Sequence, residues 1–180
     1  MNSLVLSDID INLLKYFINN GTYTINDDGS IDVDGVVNLS YKNLTKIPFK
    51  FRNVSRGFSC SYNQLTSLEG VPNTVGRWFD CTNNQLTSLE GAPSSVGGNF
   101  YCSDNQLTSL EGAPSSVGGD FDCTSNPNLP YSELFKIVDN IKGNIYYNDF
   151  MVEDIDKDKI RRDRNVKNIL KSDELGNLDV

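Results

Sequence analysis

The chain has 180 residues, 38% of them hydrophobic, and its 24 acidic and 16 basic residues give a formal net charge of -8. This length fits one domain, and the acidic charge disfavours nucleic-acid binding, which needs a basic surface. The chain has no histidine, which excludes Ser-His-Asp catalysis, Cys-His catalysis and histidine-bearing zinc sites. The first residues lack the pattern of a signal peptide and no apolar run is long enough to span a membrane, so we expect a cytoplasmic protein without membrane contact.

The first 36 residues are predicted to form an N-terminal cap made of one helix and one hairpin. The helix is expected over residues 8–19, with Ser7 as its N-cap and Gly21 as a stop signal. Two strand-like runs on either side of a turn at residues 27–30 predict a hairpin over residues 22–34.

Residues 37–130 are organised by a repeat of 21 residues. The unit that begins at Phe58 recurs without gaps at Phe79 and Phe100, and Phe121 begins a divergent further copy. A degenerate copy comes before them, with aliphatic side chains at the matching positions: Val37, Leu39, Leu44 and Ile47. The period and the pattern F-x-C-x-x-N-x-L-x-x-L are typical of leucine-rich repeats. The predicted fold is therefore a leucine-rich-repeat solenoid, whose ends need caps.

Each repeat is predicted to begin with a short strand, and successive strands are predicted to stack into a parallel β-sheet on the concave face. Because strand side chains alternate, Phe58 and Cys60 should point inward, while Ser59 and Ser61 should point outward. The convex side should be extended or polyproline-like, since a Gly-x-Pro segment interrupts any helix there. Amides at one register should form a ladder that satisfies backbone groups at the bend: Asn63, Asn84, Asn105 and Asn126.

After the repeats, residues 131–148 are predicted to form a C-terminal cap. A helix is expected to run from Ser132 to Asn140, and residues 143–147 predict a last strand. Residues 149–180 read as a charged helical tail.

Two columns of the repeat resemble ligand sites. Four cysteines should lie inside the sheet at about 4.8 Å intervals: Cys60, Cys81, Cys102 and Cys123. A straight row cannot form a tetrahedral zinc site, so we interpret them as buried reduced thiols, with disulfides between neighbouring strands as the alternative. Glu69, Glu90 and Glu111 form a second column, interpreted as a solvated ridge, with a weak cation column as the alternative. No metal and no cofactor are predicted.

The repeats differ from one another at outward strand positions. The units that begin at Phe79 and Phe100 are identical at 17 of 21 positions, and the four differences lie on or beside the predicted strand. Selection for a partner and recent duplication both account for this pattern, but solenoids commonly bind partners through the concave sheet. The predicted partner-binding residues are Ser59, Tyr62, Arg77, Trp78, Asp80, Asn83, Asn99, Tyr101, Asp104, Asp120, Asp122 and Ser125.

The predicted binding face combines aromatic rings with carboxylates. Between Phe58 and Asn126 there are seven acidic residues and one basic residue, Arg77. Aromatic anchors among charges of one sign are typical of a protein-binding surface. We therefore expect a non-enzymatic intracellular module whose protein partner offers a basic patch around a pocket for Trp78 or Tyr101. The alternative is a structural or adhesive component of a virion or cell surface that binds glycan or protein.

The segment from residue 23 to residue 48, together with the N-Q-L-T-S-L-E-G-A-P copies, resembles the small leucine-rich-repeat proteins of tailed phages and some bacteria. The resemblance covers about residues 22–130. It implies a phage-encoded inhibitor or modulator of a host or defence protein, acting inside the infected cell. The repeats are also similar to the leucine-rich-repeat domains of secreted bacterial ubiquitin-ligase effectors. Because Glu-Gly stands here in place of a Leu-Pro segment, this second resemblance implies a binding role alone.

Overall fold

The computed structural model describes residues 10–147 and 156–176, which form a parallel β-solenoid of six turns flanked by helices. The predicted Ser7 cap, the start of the predicted helix over 8–19 and parts of the predicted tail lie outside these residues. In chain order the elements are α1 (Ile11–Phe17), β1 (Ile18–Ile25), β2 (Ile31–Asn38), β3 (Phe51–Val54), β4 (Phe58–Ser59), β5 (Thr74–Val75), β6 (Phe79–Asp80), β7 (Ser95–Val96), β8 (Phe100–Tyr101), β9 (Ser116–Val117), β10 (Phe121–Asp122), a 3-10 turn (Tyr131–Glu133), α2 (Leu134–Ile137), β11 (Ile145–Tyr146) and α3 (Lys157–Gly176).

The strands form one sheet of 11 members with two parallel ladders that share β2. In the front ladder, the second half of β2 pairs with β4, and β6, β8, β10 and β11 follow in order. In the return ladder, the first half of β2 pairs with β3, followed by β5, β7 and β9. Val37 lies beside Phe58, as the alignment of the degenerate copy predicts. The predicted solenoid of parallel strands is confirmed, whereas the return ladder was not predicted.

The inward side chains of successive turns stack in columns and form a continuous core. The four repeat phenylalanines are fully buried, and each ring is stacked on the next at centroid distances of 5.7, 5.2 and 5.1 Å: Phe58, Phe79, Phe100 and Phe121. Valines of the return ladder, such as Val75 and Val96, are buried on the other side of the same core. Full burial of one such side chain contributes about 1.5–3 kcal/mol, so the columns supply much of the stability of the solenoid.

The return side is extended, but it is not polyproline-like. Polyproline II has no internal backbone hydrogen bonds, whereas Gly97 N–H donates to the Val75 carbonyl at 2.9 Å. The β-branched valine of each return strand favours pairing. Glycine permits the close approach of neighbouring turns, because a Cβ at Gly97 would overlap the Gly76 carbonyl oxygen. Pairing between turns therefore replaced the conformation expected from the Gly-x-Pro segments alone.

At the N-terminal end, α1 and the hairpin of β1 and β2 cover the first turn. The Asp10 carboxylate caps α1 by accepting hydrogen bonds from Asn12 N and Leu13 N, both at 3.0 Å. The helix ends at Phe17 rather than at residue 19, because Ile18 is extended and pairs with Val37 in the sheet. This pairing with β2 also makes the hairpin longer than the predicted 22–34.

The first turn is further joined to the hairpin by charged side chains. Arg52 of β3 forms an ion pair with Asp32 of β2, and Asn53 donates to the same carboxylate at 2.9 Å. The hydrogen bond from Arg52 is the main reason why the pKa of Asp32 falls to about 2.

At the C-terminal end, the predicted helix over 132–140 is shorter and begins with the 3-10 turn. The predicted last strand is present as β11, which pairs with β10. Helix α3 lies beside α2 with Ile160 fully buried, and the Tyr131 hydroxyl donates to Asp163 at 3.0 Å. No helix in the described part of the chain is long and apolar enough to span a bilayer.

Candidate partner-binding face

The outward side of the front ladder, called the front face below, consists of four columns of side chains. Rungs of a parallel sheet are about 4.8 Å apart, so each column is an array of closely spaced groups. Every predicted contact residue except Arg77, which is exposed at the bend between the two ladders, lies in one of these columns. The columns are Gly57, Trp78, Asn99, Asp120; then Ser59, Asp80, Tyr101, Asp122; then Ser61, Thr82, Ser103, Thr124; and Tyr62, Asn83, Asp104, Ser125.

The serines at the start of the front face differ from the sequence expectation because they are buried. Ser59 and Ser61 are 5% and 4% exposed. The Ser59 hydroxyl lies 2.6 Å from that of Ser40 and 2.9 Å from that of Ser61, and Ser61 donates to Ser40 at 3.1 Å. These hydroxyls satisfy one another, so Ser59 is a contact within the chain and not a group presented to a partner.

Two of the predicted aromatic anchors lie against the face instead of projecting from it. The Trp78 indole is half-buried and covers Gly57 of the preceding turn, where a Cβ would overlap the ring. The hydroxyl of half-buried Tyr101 accepts a hydrogen bond from Asn99 Nδ2 at 2.7 Å, and Asn99 Oδ1 accepts one from Asp120 N at 2.9 Å. Both rings are therefore held in fixed positions, which lowers the entropy cost of binding through them.

The carboxylates of the front face have no cationic partner among the described residues. They are Asp80, Asp104, Asp120 and Asp122. Asp80 and Asp122 accept hydrogen bonds from the backbone of Thr82 and Thr124, both at 3.0 Å. Some acidic residues elsewhere are paired, as in the ion pairs of Asp139 with Arg161 and Arg164. The front face thus carries an uncompensated negative potential that attracts cationic groups.

A left-handed backbone conformation recurs at one position of five successive turns. The residue at this position has a positive φ between 52° and 58° in each of them: Tyr41, Tyr62, Asn83, Asp104 and Ser125. A ladder asparagine follows the last four, whereas Lys42 follows Tyr41. Tyr41 was missed in the sequence, although the alignment of the degenerate copy places it at the position of Tyr62. The two tyrosine rings are stacked, with centroids 4.3 Å apart and planes 10° apart.

The predicted asparagine ladder is present behind this column and is buried. Asn84 Nδ2 donates to the carbonyls of Cys60 and Cys81 at 3.0 and 3.1 Å, and Oδ1 accepts from Leu65 N at 2.9 Å. Asn105 and Asn126 repeat this pattern one and two turns later. Each amide therefore links two successive turns, which fixes the register of the strands that carry the front face.

The four cysteines are free and buried in a column behind the front ladder. The Cys81 thiol donates to the Tyr101 carbonyl at 3.3 Å, and Cys102 and Cys123 make the equivalent bond to the next turn. Burial raises the pKa of all four thiols. In the described residues, no three His, Cys, Asp or Glu side chains are grouped so as to hold a metal ion.

The cysteine column gives the first testable prediction. In the folded protein at mildly alkaline pH, none of the four thiols should react with a thiol-specific chromogenic reagent, because they are buried and protonated. After unfolding in guanidinium, all four should react. A Gln85→Cys variant, which places a thiol at an exposed position, is the control and should react at once while folded. Rapid labelling of the wild-type protein would contradict the burial of the column.

Comparison with known proteins gives no relative for this arrangement. No protein-family model, no curated protein and no solved structure matches the chain. The front face therefore has to be interpreted from its own geometry.

Proposed function

We propose that the chain is a non-enzymatic protein-binding module whose front face receives a basic surface of its partner. We propose also that its solenoid is of the leucine-rich-repeat class, which the buried asparagine ladder and the two buried leucines of each repeat support, such as Leu86 and Leu89. The helix and hairpin at one end and α2, β11 and α3 at the other serve as its caps.

The observation that carries the binding proposal is the set of unpaired carboxylates on a rigid sheet. Asp80, Asp120 and Asp122 are half-buried on the face, next to the fixed rings of Trp78 and Tyr101. Carboxylates left without an intramolecular cation favour association with a partner that supplies cations. The rings provide the apolar contact area that protein interfaces use as anchors.

Several features favour binding over catalysis. The chain has no histidine, and the thiols are buried with a raised pKa, so they lack the thiolate character of a nucleophile. The described side chains of the face are spaced as on the rungs of a parallel sheet, whereas a small substrate is usually enclosed in a cleft.

The test is the recovery of partners from a bacterial lysate with tagged protein, at low and at high salt. The wild-type protein should retain a protein partner at low salt and lose it at high salt, because the contact is electrostatic. The variant Asp80→Asn/Asp122→Asn should weaken the purified complex by about tenfold or more. Trp78→Ala/Tyr101→Ala should weaken it while the circular dichroism spectrum stays native.

The matched control is Glu90→Gln/Glu111→Gln. It removes the same amount of charge from exposed positions outside the front face, so it should leave the affinity nearly unchanged. Equal losses in the two double variants would mean that net charge and not the front face drives binding. Recovery of polysaccharide alone, unaffected by the Asp variants, would favour the structural or adhesive alternative.

A further inference from the structure

The Tyr41/Tyr62 pair occupies a backbone conformation that tyrosine disfavours. Both residues have left-handed φ values, 58° and 54°, where a side chain other than glycine, asparagine or aspartate is strained. The next two turns have Asn83 and Asp104 at the same position, and these residue types tolerate the conformation better. The repeat itself thus shows that tyrosine is not needed to make this turn.

Burial does not compensate for this strain. The Tyr41 side chain is 68% exposed and that of Tyr62 is 44% exposed, although the two rings are stacked on each other. Two large rings held in solvent on a strained backbone are a feature that points to binding rather than to folding.

Near the pair, Asp80 supplies a negative charge, and the cationic side chain of Lys42 already contacts Tyr16. Partial desolvation, the contact with Tyr62 and the negative charge of Asp80 all raise the pKa of Tyr41, and Asp80 also accepts a hydrogen bond from Ser59 at 3.3 Å. The neighbouring cation, Lys42, is directed to Tyr16, whose hydroxyl is 3.1 Å and whose ring centroid is 4.8 Å from Nζ.

We propose that the Tyr41/Tyr62 pair binds an arginine side chain of the protein partner. A guanidinium group is planar, stacks on aromatic faces and pairs with carboxylates, whereas an ammonium group is a compact, strongly hydrated charge. The ring faces supply the stacking surface, and Asp80 supplies the nearby negative charge. This assignment rests on the proposed function and names the partner group that the N-terminal end of the front face selects.

Two short peptides serve as probes, one alternating glycine with arginine and the other alternating glycine with lysine. Binding to the full chain is measured at low ionic strength by chemical-shift titration. The arginine peptide should bind the wild-type protein about five- to tenfold more tightly than the lysine peptide. Tyr41→Asn/Tyr62→Asn, which installs the residue type of the next turn, should abolish this preference, leave lysine-peptide binding intact and melt at the same or a higher temperature. Tyr16→Asn, which removes another exposed tyrosine, is the matched control and should keep the preference.

The outcomes separate this inference from the proposed function. Equal binding of both peptides by the wild-type protein, or a preference that survives in the double Tyr variant, overturns the arginine assignment and leaves the acidic face intact. Failure of both peptides to bind overturns the proposed function as well. A marked loss of thermal stability in the double variant assigns the pair a structural role instead. Tyr-dependent binding of a neutral glucose oligomer overturns the arginine assignment in favour of a sugar.

Discussion

Asn105→Ala is expected to lower the free energy of unfolding by about 3–5 kcal/mol. The Asn105 side chain is 5% exposed, its Oδ1 accepts from Leu86 N at 3.0 Å, and its Nδ2 donates to the carbonyls of Cys81 and Cys102 at 3.1 and 3.2 Å. Alanine leaves the Leu86 amide and the carbonyls of Cys81 and Cys102 without these hydrogen bonds, in a site that excludes water. Chemical denaturation followed by circular dichroism measures the loss.

The matched control is Asn73→Ala. Asn73 is an exposed asparagine of the same repeat array, and its replacement should change stability by no more than about 0.5 kcal/mol. Asn105→Asp tests the donors separately, because it keeps an acceptor but places a charge beside the carbonyl oxygens of Cys81 and Cys102. Because burial beside carbonyl oxygens disfavours the charged form, the pKa of the new carboxyl should be raised. The variant should therefore regain stability as the pH falls. A loss below about 1 kcal/mol for Asn105→Ala would show that the ladder is dispensable.

Phe100→Ala should have an effect of similar size, about 3–5 kcal/mol. The ring is fully buried and is stacked between Phe79 and Phe121 at 5.2 and 5.1 Å. Removing it opens a cavity in the middle of the column, where the rigid ladders on both sides prevent collapse.

The position of Phe100 adds a second readout. In a solenoid each turn contacts only its neighbours, so a weak central turn uncouples the two ends. We therefore expect the denaturation curve of Phe100→Ala to become broader or biphasic, while Phe100→Leu should keep a single transition and lose less stability. A small loss with an unchanged single transition for Phe100→Ala would contradict the role of the stack.

The periodic part of the fold was predictable because the residue pattern within each single repeat determines it. The alternation around Phe58 and Cys60 places both side chains in the core, and the recurring asparagine marks the buried bend. Both predictions need only the geometry of one strand and the satisfaction of nearby backbone groups.

The candidate site was predictable in outline but not in detail. The sequence indicates which face carries Asp80, Trp78 and Tyr101, since this follows from alternation and repeat register. It does not indicate that Ser59 is hidden in a cluster of hydroxyls, or that the Trp78 ring lies on Gly57. These features depend on side chains of adjacent turns, which are about twenty residues apart in the chain and meet only when the turns are stacked.

The sequence by itself determined the 21-residue period, the inward columns, the asparagine ladder and the acidic character of the front face, because each follows from residue type and spacing within one unit. The tertiary structure decided the rest. It split the sheet into two ladders that share β2, paired the return strands that the Gly-x-Pro segments had suggested would stay unpaired, and brought Tyr41 onto Tyr62. The physical reason is that these features are contacts between turns, and the free energy of such contacts depends on the stacking of the whole solenoid.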